Sequence, residues 1–176
     1  MSAGRDELLL GEWACLGILY EHPVHGFAVA ARLKPSGDVG RVWSLSRALT
    51  YRALDQVVSR GYARPIGEEP GIAGGTRTIL AATRLGRARL RTWLATPVPH
   101  LRDLRSELLL KLVIADNCGV DVTEMLIAQR ARIADAAAVH AADADAAPGD
   151  VVRAWRSEAA TAALRFIDRV QRAPVR

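Results

Sequence analysis

WSLSRALTYRALDQVVSRGY, residues 43–62, reads as one helix with a polar start, a regular apolar face and a glycine stop. At 100° per residue and with Leu54 at the centre, Thr50, Val57, Val58 and Gly61 share one narrow arc. Arg52, Gln56 and Ser59 fall on the opposite face. The Ser46 hydroxyl is placed to take an orphan backbone N–H of the first turn. Gly61 suits the left-handed position past the last turn. A short strand over 64–66 follows, then an acidic, Gly/Pro-rich tip over 67–75 and a second strand over 76–81. A helix leading into a tight two-stranded hairpin is the order of a winged helix-turn-helix.

Working upstream, Leu9, Trp13, Leu16 and Tyr20 recur at spacings of four, three and four, so residues 6–21 are expected to form a helix with a wide apolar face. Asp6 and Glu7 belong at its start, where the dipole favours negative charge. His22-Pro23 stops it, because a residue before proline is pushed out of the helical region. A short helix over 26–33 and a polar loop over 34–41 complete the approach. His25 is read as ordering the turn into that short helix through a hydrogen bond. His22, His100 and His140 are scattered and show no metal-ligand spacing with Cys or carboxylates. The Gly-Gly pair at 74–75 lacks the Lys-Ser/Thr and strand-to-helix setting of a phosphate loop.

Downstream, Thr83 is expected to cap a helix over 84–95, with Arg84, Arg87, Arg89 and Arg91 outside and Leu85, Leu90, Trp93 and Leu94 inside. Thr-Pro-Val-Pro at 96–99 breaks that helix and divides the chain into 1–96 and 97–176. In the second part Leu101, Leu104, Leu108, Leu112 and Ala115 repeat at helical spacing, and Asn-Cys-Gly at 117–119 ends the run. Asp121 with Glu124 makes a capping arrangement for a helix reaching about residue 144. The turn at 147–150 precedes a last helix over 151–172, where Val152, Trp155, Ala159, Ala162, Phe166 and Val170 line one stripe. Such a seam needs a partner surface, internal or across a dimer. Leu101, Leu104, Leu108, Val152, Trp155, Ala159 and Phe166 are therefore the expected dimer interface. The fold class is mainly α: an N-terminal winged helix-turn-helix with a two-stranded wing, then a helical dimerisation region.

Composition agrees with a packed chain. Half of the 176 residues are hydrophobic, which argues against global disorder. Aromatics are few and alanine abundant, favouring helix. No apolar run approaches membrane-spanning length, and the N-terminus lacks a signal pattern, so a cytoplasmic protein is expected. Cys15 and Cys118 sit inside apolar helical patterns and read as small buried hydrophobes. Residues 1–99 hold 13 basic and 8 acidic side chains and residues 100–176 hold 11 of each, so the whole excess of +5 lies in the first part. That balance suits nucleic acid, and an arginine-dominated set suits bidentate contacts to phosphate and guanine. No Ser/His/Asp, Cys/His, metal-ligand or paired-carboxylate grouping is visible, so neither an enzyme nor a cofactor or metal is expected.

TYRALDQVVSRGY, GGTRTILAAT and RLGRARLRTWL together resemble the PadR family of bacterial transcriptional regulators. Tyr51, Arg52, Leu54, Gly61, Thr83 and Gly86 match the family pattern, and His-Gly-Phe at 25–27 resembles its His-Gly-Tyr element. Thr50 stands where the family usually has Leu, which loosens the core under the reading helix, and Leu80 where it often has Tyr. The resemblance implies a dimeric repressor of operator DNA, released by a small hydrophobic or aromatic effector, with Trp13 and Trp93 as candidates to line the effector pocket. Placed on the wheel, Arg47 and Arg52 carry base reading, assisted by Ser46, Tyr51 and Gln56. Arg64, Thr76 and Arg77 are the wing's contacts, Arg77 to the backbone alone, since Glu68 and Glu69 would be repelled by phosphate. The alternative is a winged-helix module that binds protein and no specific DNA.

Overall fold

The structure, a computed structural model, describes residues 7–71 and 75–172; Asp6 and the wing-tip residues Ile72, Ala73 and Gly74 lie outside them. Two compact units are present, residues 1–93 with 109–120 and residues 94–108 with 121–176.

The first unit is built around α1 (Leu10–Glu21), in which all of residues 11–20 are buried. A helix apolar all round belongs in the middle of a core, not on its surface. Instead of one wide apolar face, α1 has neighbours on every side: α2 (Gly26–Arg32), α3 (Arg47–Ser59), the strand Thr76–Ala82, and α5 (Leu109–Cys118). It starts at Leu10, and Leu9 is exposed ahead of it. Glu12 is buried but not orphaned, because its Oε2 accepts the Leu9 N–H at 3.0 Å. The helix 109–118, which the sequence groups with the C-terminal region, packs on α1 in this unit. Lys111 and Leu110 are among its buried residues.

α3 begins as the sequence predicts, with the Ser46 Oγ accepting the Leu49 N–H at 3.3 Å. Its buried residues are Thr50, Ala53, Leu54 and Val57. Ala53 replaces Val58 and Gly61 in the expected arc, so the helix is rolled slightly toward the Ala53 side. Val58 is half-buried and Gly61 exposed. Thr50 is fully buried, but its hydroxyl donates to the Ser46 carbonyl at 3.0 Å and so is not itself left unpaired. Gly61 ends the helix at φ +72°, the left-handed conformation that glycine adopts without a Cβ penalty. Ahead of α3, the loop over 34–41 is held by Arg32, whose guanidinium meets Asp38 at 3.0 and 2.5 Å and Glu21 at 2.6 Å. Asp38 holds the Arg32 guanidinium charged and is itself held below the usual carboxylate range, by Arg32 first.

The wing is the expected two-stranded hairpin, β2 (Ala63–Pro70) with β3 (Thr76–Ala82), and among the described residues a further short strand, β1 (Val24–His25), pairs with β3, giving an antiparallel sheet in the order β1–β3–β2. β2 also runs four residues past the expected end at Ile66, with a shift of register between Pro65 and Gly67. Gly67, Glu68, Glu69 and Pro70 read as a loop by composition, yet an edge strand tolerates proline and charge. α4 (Arg84–Ala95) is capped by the Thr83 Oγ1, which accepts the Gly86 N–H at 3.0 Å and donates to the Gly61 carbonyl at 2.7 Å. Leu85, expected on the inner face, is exposed; Leu90 is fully buried.

The two thiols are free; Cys15 is buried and Cys118 half-buried, and burial pushes the Cys118 thiol up to about 11 and Cys15 further. Both are protonated at neutral pH and act as small apolar groups.

The second unit contains a 3-10 turn (Leu101–Asp103), a π-helical turn (Leu104–Leu108) and an antiparallel hairpin of two long helices, α6 (Thr123–Ala146) and α7 (Val151–Arg172). The N-cap of α6 is Val122, not the expected Asp121, whose carboxylate one residue earlier accepts the Thr123 N–H at 2.8 Å; Asp150 caps α7 through the N–H groups of Val152 and Arg153. Arg130 on α6 meets Asp168 on α7 at 2.6 Å. The buried Gln129 amide is satisfied at both ends by one residue, accepting the Val98 N–H at 2.6 Å and donating to the Val98 carbonyl at 3.1 Å. The proline-flanked segment is therefore clamped to α6.

Close backbone approach fixes where α4 leaves the wing. A Cβ added to Gly86 would lie 2.0 Å from the Tyr62 carbonyl oxygen, which as backbone cannot swing aside. Gly86→Ala should destabilise the protein by about 1–3 kcal/mol or more, read as a lowered midpoint in thermal or urea unfolding. An unchanged midpoint would mean that this approach is not needed.

Candidate nucleic-acid interface

The exposed side of α3 has two flanks, and the expected reading residues divide between them. On one flank, Arg47, Tyr51 and Asp55 face β3 across a cleft of about 510 Å³ that is also lined by His25, Phe27, Thr76 and Arg77. On the other, Arg52 and Gln56 border a second cavity beside the start of α1. Ser46 lies at the helix N-terminus as its cap, and Arg64 is exposed on β2. The structure thus brings Arg47, Tyr51, Thr76 and Arg77 together and keeps Arg52 with Gln56 apart from them.

The first cleft is organised by Phe27, which the sequence does not single out as functional. It sits in the first turn of α2, is about half exposed, and has a guanidinium near its ring from each side of the cleft: Arg47 at 5.5 Å and Arg77 at 5.3 Å from the centroid. Arg47 also lies 5.8 Å from the Tyr51 ring. Cation–π contacts of this kind hold a guanidinium by its flat face and leave its N–H edge free to donate. Like charges on α3 and the wing would otherwise push each other away.

His25 and Gly26 explain the rest of the His-Gly-Phe element. The His25 Nδ1 accepts the Ala28 N–H at 2.9 Å and so caps α2, the hydrogen bond expected of it. With Nδ1 accepting, the neutral ring carries its proton on Nε2, which lies 3.0 Å from the Glu69 carboxylate on β2. Arg77 stands 3.3 Å from the same nitrogen. One Glu69 oxygen is therefore taken by His25, although the side chain stays partly exposed. A Cβ on Gly26 would sit 2.8 Å from the Tyr51 ring, so glycine there lets the tyrosine pack down while 39% of the residue stays exposed. Asp55, also missed in the sequence, adds an acceptor on the same flank; a carboxylate in a major groove can take the cytosine N4 amine.

Trp13 and Trp93 do not line an effector pocket. They are 3% and 8% exposed and stack on each other at 4.7 Å with 9° between planes. Arg89 lies 5.9 Å from the Trp13 centroid and Lys111 5.0 Å from that of Trp93. Paired faces and flanking cations make these indoles part of the core. Leu108, expected at a dimer interface, is likewise fully buried within the single chain and has no surface to offer a partner. Leu101 and Leu104 are half-buried; Val152, Trp155 and Phe166 are exposed, and Ala159 is intermediate. α7 meets α6 through Ala160 and Ile167 instead, leaving the Val152–Trp155–Phe166 stripe outward. Among the described residues no group of three or more His, Cys, Asp or Glu could hold a metal ion, and no helix is long and apolar enough to cross a membrane.

No family model and no curated protein matches the chain. Solved structures do. Bacillus subtilis PadR in complex with operator DNA is similar at a TM-score of 0.47 and 13% identity, over 91% of this chain and 97% of that one. The protein smu.1604c from Streptococcus mutans is similar at 0.45 and 12%, over 92% and 98%. Bacillus subtilis PadR determined separately gives 0.41 and 14%, over 96% and 97%. What the site of this chain can do is carried by its own residues.

Proposed function

We propose that the protein is a PadR-like transcriptional regulator that binds operator DNA as a dimer, acts as a repressor in the cytoplasm, and is released by a small apolar molecule. The observation that supports this most is the pair of arginines, Arg47 on α3 and Arg77 on the wing, held against the two approaches to Phe27. One belongs to the first turn of a helix of the kind that enters a major groove, the other to a hairpin that would follow the adjacent backbone. Arg47 presents N–H donors with no acidic partner among the described residues, and Arg77 stands 3.3 Å from the His25 Nε2. The whole net positive charge of the chain lies in the same half, and such a charge steers association with DNA.

Roles within this reading differ by position. Arg47, Arg52 and Gln56 read base edges; Ser46 caps the reading helix and keeps its N-terminus toward phosphate. Tyr51 packs on Gly26 and offers its hydroxyl to the backbone. Arg64, Thr76 and Arg77 hold phosphate. The exposed stripe of Val152, Trp155 and Phe166 on α7 supports dimerisation, since a lone chain leaves these large apolar side chains in water.

Two measurements separate these roles. In gel shifts with a duplex selected by the protein from a random pool, Arg52→Ala should cost about 1–3 kcal/mol and relax preference at one position per half-site. Arg77→Ala should weaken all sequences alike and reduce the salt slope by roughly one for each phosphate it no longer neutralises. Unaltered affinity and specificity in Arg52→Ala would remove its reading role. Failure to retain any duplex at low salt would favour a protein-binding module. For assembly, Trp155→Glu should sediment as a monomer at concentrations where the unsubstituted chain is a dimer; a dimer in both would place the interface elsewhere.

A further inference from the structure

One carboxylate stands in the middle of the face that α3 turns outward. The four buried residues Thr50, Ala53, Leu54 and Val57 fix the inward direction of the helix. At roughly 100° per residue the opposite direction is held by Ala48, Arg52, Asp55 and Ser59, all of them exposed. The roll of the helix toward Ala53 brings Asp55 there in place of Gln56. Asp55 also lines the cleft that holds Arg47, Tyr51 and Arg77.

A carboxylate on a face that meets a polyanion is repelled by phosphate at every sequence. No ion pair or side-chain hydrogen bond holds Asp55 among the described residues, although Arg52 lies three residues before it, within helical reach. The two guanidiniums of the cleft are turned to Phe27 instead. Asp55 is therefore an acceptor free for a donor on the DNA. Only two groups donate in the major groove, the N4 amine of cytosine and the N6 amine of adenine. The adenine amine lies between two acceptors, N7 of its own base and O4 of the paired thymine, and both repel a carboxylate. The cytosine amine has guanine O6 on one side alone and the C5–H edge on the other. Cytosine is the better match. Ala48 and Ser59, on the same outward line, are short, so the groove floor can come within reach of the short aspartate arm.

We propose that Asp55 is a specificity-determining residue that takes the N4 amine of one cytosine in each half-site, and that methylation of that amine blocks binding. This role rests on the reading of DNA by α3 given above. In a base pair the cytosine amine spends one hydrogen on guanine O6 and turns the other to the major groove. A methyl group on N4 takes the groove position and leaves the pairing hydrogen. The duplex then keeps its pairing and loses the donor that Asp55 uses. At unrelated sequences the carboxylate meets phosphate repulsion with no amine to offset it, so Asp55 lowers non-specific affinity as well as selecting a base.

Duplexes can be selected from a random pool by the full-length protein, by Asp55→Ala and by Asp55→Asn, and their affinities read by gel shift. The unsubstituted chain should select cytosine at one position of each half-site. Asp55→Ala should lose that preference, and Asp55→Asn should exchange it for adenine, whose N6 and N7 suit an amide. N4-methylcytosine at that position should weaken the unsubstituted chain roughly tenfold or more and leave Asp55→Ala unchanged. A duplex of unrelated sequence should bind Asp55→Ala severalfold tighter at low salt. A merely solvated carboxylate predicts one selected sequence for all three proteins, with affinity raised alike for every duplex once the charge is gone. That result overturns the role of Asp55 and leaves the DNA-binding function standing. Equal affinity of the unsubstituted chain for methylated and unmethylated duplexes at every selected cytosine overturns it too, without recourse to a variant. If the unsubstituted chain selects no duplex at all, both the role and the DNA-binding function fall.

Discussion

Burial of α1 on every side is the constraint on which the rest of the first unit depends. A short helix with no polar face has no place on a surface, so the chain must wrap it. α3, α2, β3 and α5 are the wrapping, and each presents outward whatever it does not need for that contact. Thr50, Ala53, Leu54 and Val57 are used inward on α3, which leaves Arg47, Tyr51, Arg52, Asp55 and Gln56 to be displayed. The candidate face is in this sense the remainder of the packing problem, fixed by which side chains the core takes.

Electrostatics set the second level. A cleft with a guanidinium on each side and a wing carrying two glutamates has both repulsion and misdirected attraction to manage. Phe27 handles the first by offering π-density to Arg47 and Arg77. His25 handles the second by taking one Glu69 oxygen while its other nitrogen caps α2. One three-residue element, His25-Gly26-Phe27, thereby caps a helix, seats Tyr51, holds a carboxylate and braces two arginines. Its contacts on α3 and the wing are brought together only by folding.

That distance in sequence explains what could and could not be read in advance. α3 is legible because its cap, apolar period and glycine stop are local, and the winged order follows from it. β1 is not, since two residues carry no periodicity and are strand only because β3 lies beside them. β2 beyond Ile66 reads as loop from its Gly, Glu and Pro, and the cross-strand partners Thr76, Arg77 and Thr78 override that composition. The arc centred on Leu54 comes within a residue of the buried face, and the error matters, because rolling toward Ala53 puts Arg52 and Gln56 beside the start of α1 instead of beside Arg47. The tryptophan placement fails for another reason: periodicity marks Trp13 and Trp93 as inward-facing without saying that each meets the other. Gln129 and Val98 pair a side chain with a backbone amide, a match that no residue pattern encodes.

The central claim, that α3 is inserted into a major groove, has a direct chemical reading. Dimethyl sulfate methylates guanine N7, which is open in the major groove and covered when a reading helix occupies it. On a duplex selected from a random pool, the bound protein should protect guanine N7 in two patches about one helical turn, roughly 10 base pairs, apart. Full reactivity of every guanine N7 in a saturated complex, with protection confined to adenine N3 in the minor groove, would contradict it.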